Sequence, residues 1–377
     1  MRPIRMVDLK AQHQAIQDEL DAAIKDIFDH TAFIKGPAVT QFEEELADYL
    51  HIKHVSGCAN GTDALQLALM ALDLAPGAEV LLPSFTFVAT AEVVRLLGLE
   101  PVFVDVYADT FNIDLAKAEA MITDNTRAIV PVHLFGQCAD METLLGLAKR
   151  HNLFVVEDAA QALGASYTFS DGRVVKAGAM GHLGCTSFFP SKNLGCAGDG
   201  GAVFTQDDHL ARIVRQLGNH GMSAQYQYEV AGVNSRLDAL QAAILRVKLP
   251  HLDAYNQRRR QAAAAYDAAL HQVPSVQVPS RCTKSDHIFH QYTLRVPAAH
   301  RDALQQHLQE ADIPSKVYYP TPLQAHRCYA RARCSSMEVT EQACRSVLSL
   351  PMHTELDTEQ IEHITGRFSN YFAAATV

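Results

Sequence analysis

The hydrophobic positions of this chain switch repeatedly between two periods. Apolar residues recur at helical spacing in LKAQHQAIQDELDAAIKDIFDH and again in AVTQFEEELADYLH, which predicts two amphipathic helices. GCANGTDALQLALMALDL follows, a Gly-Thr-Asp turn opening an apolar helix. Short apolar runs then alternate with helical segments: AEVLLP and FVATAEVVRLLG, PVFVDV and DLAKAEAMI, RAIVPVHLF and DMETLLGLAKRH, and finally LFVVEDAA. This alternation predicts an α/β fold, a mainly parallel sheet with helices on both faces. Ligands of such sheets sit beyond the C-terminal ends of the strands.

After GGAVFT the pattern turns helical. DDHLARIVRQLGNHG and RLDALQAAILRVKL read as helices, and Pro250 is expected to break or kink the second before AYNQRRRQAAAAYDAAL. From about Val273 a smaller α+β unit is predicted, with a strand in HQYTLRVP, a helix in HRDALQQHLQEA, a strand ending in VYYP and a terminal helix from about Thr358. The expected division is a large domain over 1–250 and a small C-terminal domain over 251–377.

Composition narrows the function classes. With 377 residues, 48% of them hydrophobic, the chain can bury a sizeable core. A net charge of −10 leaves no basic footprint for nucleic acid. No uncharged apolar run reaches the roughly 20 residues of a membrane span. The polar N-terminus MRPIRMVDLKAQHQ lacks a signal peptide's apolar core, so a cytoplasmic protein is expected. None of the eight cysteines forms a CxxC pair. They read as mostly buried, reduced thiols, and no metal site is expected.

Four features fall at predicted strand ends or helix starts. Asn60-Gly61-Thr62-Asp63 opens an apolar helix; it is either a phosphate site or an ordinary N-cap by Thr62 or Asp63. Ser84-Phe85-Thr86-Phe87 follows a short strand, and its aromatics either cover a flat ligand or pack in the core. Asp158 ends LFVVEDAA, where it either holds a protonated ring nitrogen or caps a turn; Gln161, one turn on, either joins that ligand or bonds its own backbone. Lys192 sits in FFPSKNLGCAGDGG, between Phe189 and glycines that let the backbone fold tightly. A desolvated lysine there has a lowered pKa and can form a Schiff base; otherwise it is a loop lysine beside a tight turn. Taken together, the phosphate cup, aromatic plate, carboxylate and lysine match the needs of pyridoxal phosphate, an electron sink whose ring nitrogen must stay protonated.

With these motifs the chain resembles the nucleotide-sugar aminotransferases, the DegT/DnrJ/StrS family of fold-type-I pyridoxal phosphate enzymes. The resemblance covers nearly the whole chain, through VDLKAQHQAI, FIKGP, GTDALQLAL, PSFTFVATAE, PVHLFGQCADM, VVEDAAQALGA, TSFFPSKNLGCAGDGGAVFT, GVNSRLDALQAAIL and YYPTPLQ. It implies an aspartate-aminotransferase-like fold with Lys192 as the Schiff-base lysine and Asp158 on the pyridinium. It further implies Gln161 on the ring hydroxyl, Phe87 stacked on the ring, and Gly61, Thr62, Asp63 and Ser187 on the phosphate. Asn234 would complete the phosphate site of a neighbouring subunit, which implies a homodimer. Arg236 is either a substrate contact from the same segment or a structural ion pair in the dimer.

The resemblance also implies transfer from L-glutamate, through the pyridoxamine form of the cofactor, to a keto nucleotide-sugar. It is strongest toward enzymes acting on UDP-2-acetamido-2-deoxy-3-oxo-glucuronate, on the route to surface-polysaccharide sugars such as those of lipopolysaccharide. Aminotransferases of dTDP-3-oxo-6-deoxyhexoses or of 4-keto sugars are the alternatives. A regulatory homologue should lack the lysine, and related dehydratases replace it with histidine; Lys192 favours transamination. Pro322-Leu323-Gln324 stands where many relatives have PLH, so His326 becomes a substitute contact. Phe33 in the FIKGP loop and Tyr319 are candidates for the substrate mouth, with loop packing as the alternative for each.

Overall fold

A computed structural model describes residues 1–375. Eight strands form the central sheet, in the spatial order His54–Cys58, Gly201–Thr205, Leu183–Ser187, Phe154–Asp158, Thr126–Ile129, Glu79–Pro83, Glu100–Val104 and Arg333–Cys334. Gly201–Thr205 runs antiparallel to both its neighbours, and every other pairing is parallel. The inner strands read as unbroken apolar runs because both faces are covered. Val80 and Leu82 enter one core while Leu81 enters the opposite one, as the strand period of two demands. Helix Gly61–Ala71 packs on the first face and helix Met141–His151 on the second. A third core joins helices Pro37–Leu50 and Ala239–Lys248.

Several expectations need correction. The first predicted helix divides into Leu9–Gln14 and Gln17–His30, with Ile16 out of helical geometry at φ −129°. RAIVPVHLF is a strand only over Thr126–Ile129, because Pro131 has no N–H to continue the ladder. VYYP is not a strand: Lys316 makes a single bridge to Ser349, and the rings of Tyr318 and Tyr319 turn into a cluster with Phe85. Pro250 behaves as expected, sitting in a 3₁₀ turn over Leu249–His251 between helices Ala239–Lys248 and Leu252–Leu270.

The C-terminal segment has its own core. Strands Tyr292–Arg295 and Val347–Leu350 pair antiparallel, and helices Leu252–Leu270, Ala298–Glu310 and Thr358–Ala375 surround them. Helix Glu338–Ser346 and strand Val347–Leu350 fall outside the predicted elements. The connection is not one-way. Ile4 packs into the C-terminal core, Gln12 donates to Thr354, and Arg333–Cys334 returns to the edge of the main sheet. Among the described residues no helix is long and apolar enough to cross a membrane. All eight cysteines are free, and five of them are buried.

Candidate active site

Asp158 is the last residue of Phe154–Asp158 and is 6% exposed. Its Oδ2 accepts from the Thr90 hydroxyl at 2.8 Å and its Oδ1 from the Ala160 N–H at 3.2 Å. The carboxylate is thus aimed while keeping lone pairs for a further donor. Thr90 sits one turn past Phe87, in the first turn of helix Ala89–Leu96, so the aromatic loop and the carboxylate are tied together.

Lys192 lies in the compact loop that follows Leu183–Ser187. Phe188 N–H donates to Gly200 O at 2.7 Å, Lys192 N–H to Phe189 O at 2.8 Å, and Cys196 N–H to Phe188 O at 2.8 Å. The loop closes so tightly that a Cβ at Gly195 would stand 2.4 Å from the Pro190 carbonyl oxygen. The residue keeps some exposed surface, but its ammonium lies in the interior. Burial lowers its pKa to about 8, and the field of Asp158 opposes that shift. Among the described residues Lys192 Nζ makes no hydrogen bond, so the nitrogen is free to react.

The expected phosphate site lies where helix Gly61–Ala71 meets the end of Leu183–Ser187. The cap is Asn60, not Thr62 or Asp63: its side chain accepts from the Asp63 N–H at 2.8 Å. Asn60 O accepts from the Ala64 N–H at 3.0 Å. Among the described residues the Gly61 and Thr62 N–H groups have no protein partner, and a helix start of this kind favours an anion. A Cβ at Gly61 would come within 2.6 Å of the Ser187 Cβ, so only glycine lets the helix start approach this strand end.

Gln161 is oriented by both ends of its amide. Oε1 accepts from the Phe135 N–H at 2.8 Å, and Nε2 donates to the Tyr319 hydroxyl at 3.1 Å. One Nε2 proton remains for a ligand. Tyr319 also packs edge-on against Phe85 at 5.9 Å. The two phenylalanines of the aromatic loop part company: Phe85 is core, while Phe87 is 56% exposed and presents its ring.

The remaining expected residues lie elsewhere. Arg236 lines a cavity of about 210 Å³ with Lys35, Glu43 and Arg215. Phe33, which does not line that cavity, accepts at its carbonyl from the Ala239 N–H at 2.9 Å, and its ring is edge-on to Phe28. Asn234 is exposed and bridges Asn219. Among the described residues none of these three makes a hydrogen bond or ion pair to Lys192, Asp158, Gln161 or Ser187. His326 is exposed, and Gln324 instead hydrogen-bonds the Ser84 hydroxyl.

The groups present fit pyridoxal phosphate. An open helix start faces a serine, a carboxylate with spare acceptor capacity lies within the field of a lysine of lowered pKa, and the Phe87 ring is exposed. The buried Thr86 hydroxyl is also left without a partner.

A buried lysine, a carboxylate at a strand end and an open helix start on a mainly parallel sheet match an aminotransferase of the pyridoxal phosphate class. Residues 14–369 match the DegT/DnrJ/EryC1/StrS aminotransferase family, and the chain belongs to it. It is 44% identical, over 97% of its length and all of the relative's, to UDP-2-acetamido-2-deoxy-3-oxo-D-glucuronate aminotransferase of Pseudomonas aeruginosa. It is 47% identical, over 96% of both chains, to UDP-N-acetyl-3-dehydro-alpha-D-glucosamine 3-aminotransferase of Acidithiobacillus ferrooxidans. Its fold superposes on S. venezuelae DesV in complex with a ketimine intermediate with a TM-score of 0.94, at 40% identity over 99% of both chains.

Proposed function

We propose that this enzyme moves the amino group of L-glutamate to the 3-keto group of UDP-2-acetamido-2-deoxy-3-oxo-glucuronate, supplying surface-polysaccharide sugars. The observation that carries the reading is the meeting of Lys192, Asp158, Gln161 and the open Gly61 and Thr62 N–H groups at the C-terminal strand ends. The P. aeruginosa relative supports the substrate.

Bound in this site, the cofactor supplies an electron sink and a carrier for the amino group. The residues of the chain do the rest. Asp158 would hold the cofactor's ring nitrogen in its protonated form, and the free Nε2 proton of Gln161 would serve its ring hydroxyl. Phe87 would cover one face of the ring. Gly61, Thr62, Asp63 and Ser187 would hold its phosphate. Lys192 Nζ, with a pKa of about 8, is partly neutral near neutrality and can take a carbon-bound proton and return it. The enzyme works as a cytoplasmic homodimer, with Asn234 and Arg236 serving the partner's site. That neither makes a hydrogen bond or ion pair to Lys192 among the described residues of one chain supports this. Residues 1–250 bind the cofactor, and 251–377 form the smaller domain that carries Tyr319.

A substrate without the carboxylate is the second reading, favoured by the higher identity to the A. ferrooxidans protein. The test runs the reaction backwards, offering UDP- and dTDP-linked 3-amino and 4-amino sugars with 2-oxoglutarate. The proposal expects glutamate to form fastest from the UDP-3-amino uronate. Preference for the UDP-3-amino sugar lacking the acid selects the second reading, and preference for a dTDP or 4-amino sugar removes both.

A further inference from the structure

The residue after Lys192 is held more elaborately than the lysine itself. Asn193 is buried, and its Nδ2 donates to Asn256 Oδ1 at 2.6 Å and to Ile288 O at 3.3 Å. Both amide protons are therefore used, and Oδ1 needs a donor. His290 Nδ1 faces that oxygen at 3.3 Å, so the hydrogen sits on Nδ1. His290 is itself buried, and burial, reinforced by the nearby Lys192 and Arg259 cations, holds its pKa well below the ordinary histidine value. The ring is neutral, with Nε2 as acceptor and Gln291 Nε2 at 3.5 Å from it.

Both ends of this chain are anchored. Asn256 Nδ2 donates to Leu163 O at 3.4 Å, in the turn that carries Gln161. Arg259, on the same helix, donates to the carbonyls of Phe289 at 3.1 Å, His290 at 3.3 Å and Met352 at 3.2 Å. It does so from a buried position without a carboxylate partner among the described residues. A buried cation and three buried polar side chains are costly to assemble; although Arg259 Nε has no partner among the described residues, the hydrogen bonds made by Asn193, Asn256, His290 and the Arg259 Nη1 favour one geometry.

We propose that His290 is a positioning residue for Lys192: through Asn193 it fixes the peptide that follows the lysine and hence the direction of the lysine side chain. Lys192 Nζ has no hydrogen bond of its own, so its place is set by its backbone. That backbone is held at one end by the Lys192 N–H on Phe189 O and at the other by the Asn193 amide. A lysine that must meet two carbon atoms in turn is sensitive to such placement, since a shift of about 1 Å can cost roughly a hundredfold in rate.

The inference rests on Lys192 as the acting lysine. The test compares His290→Asn, His290→Gln and His290→Leu. Asparagine puts an amide nitrogen where Nδ1 stands, and glutamine puts one where Nε2 stands. Two quantities are read: kcat and KM for glutamate, and the pH midpoint of Lys192 acetylation in the apoprotein, by competitive labelling and mass spectrometry. H290N should keep kcat within about threefold and the midpoint near about 8. H290L and H290Q should lose about 10- to 100-fold in kcat with KM within about threefold. In those two variants the Lys192 midpoint should also rise toward the ordinary lysine range. The proposal is overturned if H290N is as impaired as H290L, or if H290L leaves kcat and midpoint unchanged. Should H290L not fold, equal behaviour of H290N and H290Q overturns it instead. A Lys192→Ala protein that still transaminates removes the reading of Lys192, and the apoprotein titration still reports on positioning.

Discussion

The Thr90 hydroxyl donates to Asp158 Oδ2 at 2.8 Å, with both side chains buried. It is the one side-chain donor that the described residues give this carboxylate. A hydrogen bond to a charged group contributes about 1.5–3 kcal/mol. Thr90→Val keeps the shape and removes the donor, so it should destabilise the folded protein by about that amount in urea unfolding, with Thr90→Ser restoring most of it. An unchanged T90V unfolding midpoint would mean that the bond carries no weight.

Lys192 gives a stability prediction of opposite sign. Burial lowers its pKa in the folded chain to about 8, against 10.5 for an ordinary lysine. Between those values the unfolded chain binds more protons than the folded one, so stability rises with pH across that window. The cost of burying the ammonium is full below about pH 8 and is relieved by 10.5. The Lys192→Met apoprotein should therefore be more stable than wild type at pH 7, by up to about 3 kcal/mol, with the difference closing near pH 10.5. Lys248 also titrates at about 8, but it donates to Gly195 O at 2.7 Å and lies 2.8 Å from His13 Nε2. Lys248→Met loses those bonds and should gain less. A K192M apoprotein no more stable than wild type at pH 7 would contradict the assignment.

What the sequence made legible follows from how each signal arises. Glu79–Pro83, Glu100–Val104 and Phe154–Asp158 lie within about two residues of their apolar runs, because strands covered on both faces need apolar residues throughout. Lys192 and Asp158 stood out because each follows such a run. The pairs Ser166–Thr168 with Val174–Lys176 and Met222–Ala224 with Gln227–Tyr228 did not, being too short for a period to register. Thr90 reads as one more helix residue in ATAEVV; only the fold brings a strand end 68 positions away against it. His290 and Asn193 are 97 residues apart, and no local pattern links them.

Gly61 tests the phosphate cup. An alanine Cβ there would stand 2.6 Å from the Ser187 Cβ and 3.2 Å from its Cα. Gly61→Ala should push the helix start from the strand end, destabilise the fold by about 1–3 kcal/mol and weaken cofactor retention. Adding Ser187→Gly removes the nearest atoms, so the double variant should regain most of the stability. It should still bind the cofactor more weakly, because the serine hydroxyl is gone. Thermal unfolding of the apoprotein and cofactor titration separate the two effects. Full recovery of cofactor affinity in the double variant would take Ser187 out of the phosphate site.

Arg236 decides between the two substrate readings. Among the described residues its guanidinium has neither an ion pair nor a hydrogen bond, although it lines a cavity with Glu43. A guanidinium left open in this way is available to a substrate carboxylate, which it can meet with two parallel hydrogen bonds. Arg236→Ala should then lower kcat/KM for the UDP-3-amino uronate by about 30- to 1,000-fold, and for the sugar without the acid by no more than about threefold. Arg236→Lys should fall between, since an ammonium replaces the charge but not the planar fork. Loss of the same size on both sugars, together with a dimer that dissociates in sedimentation, would return Arg236 to a structural ion pair across the interface.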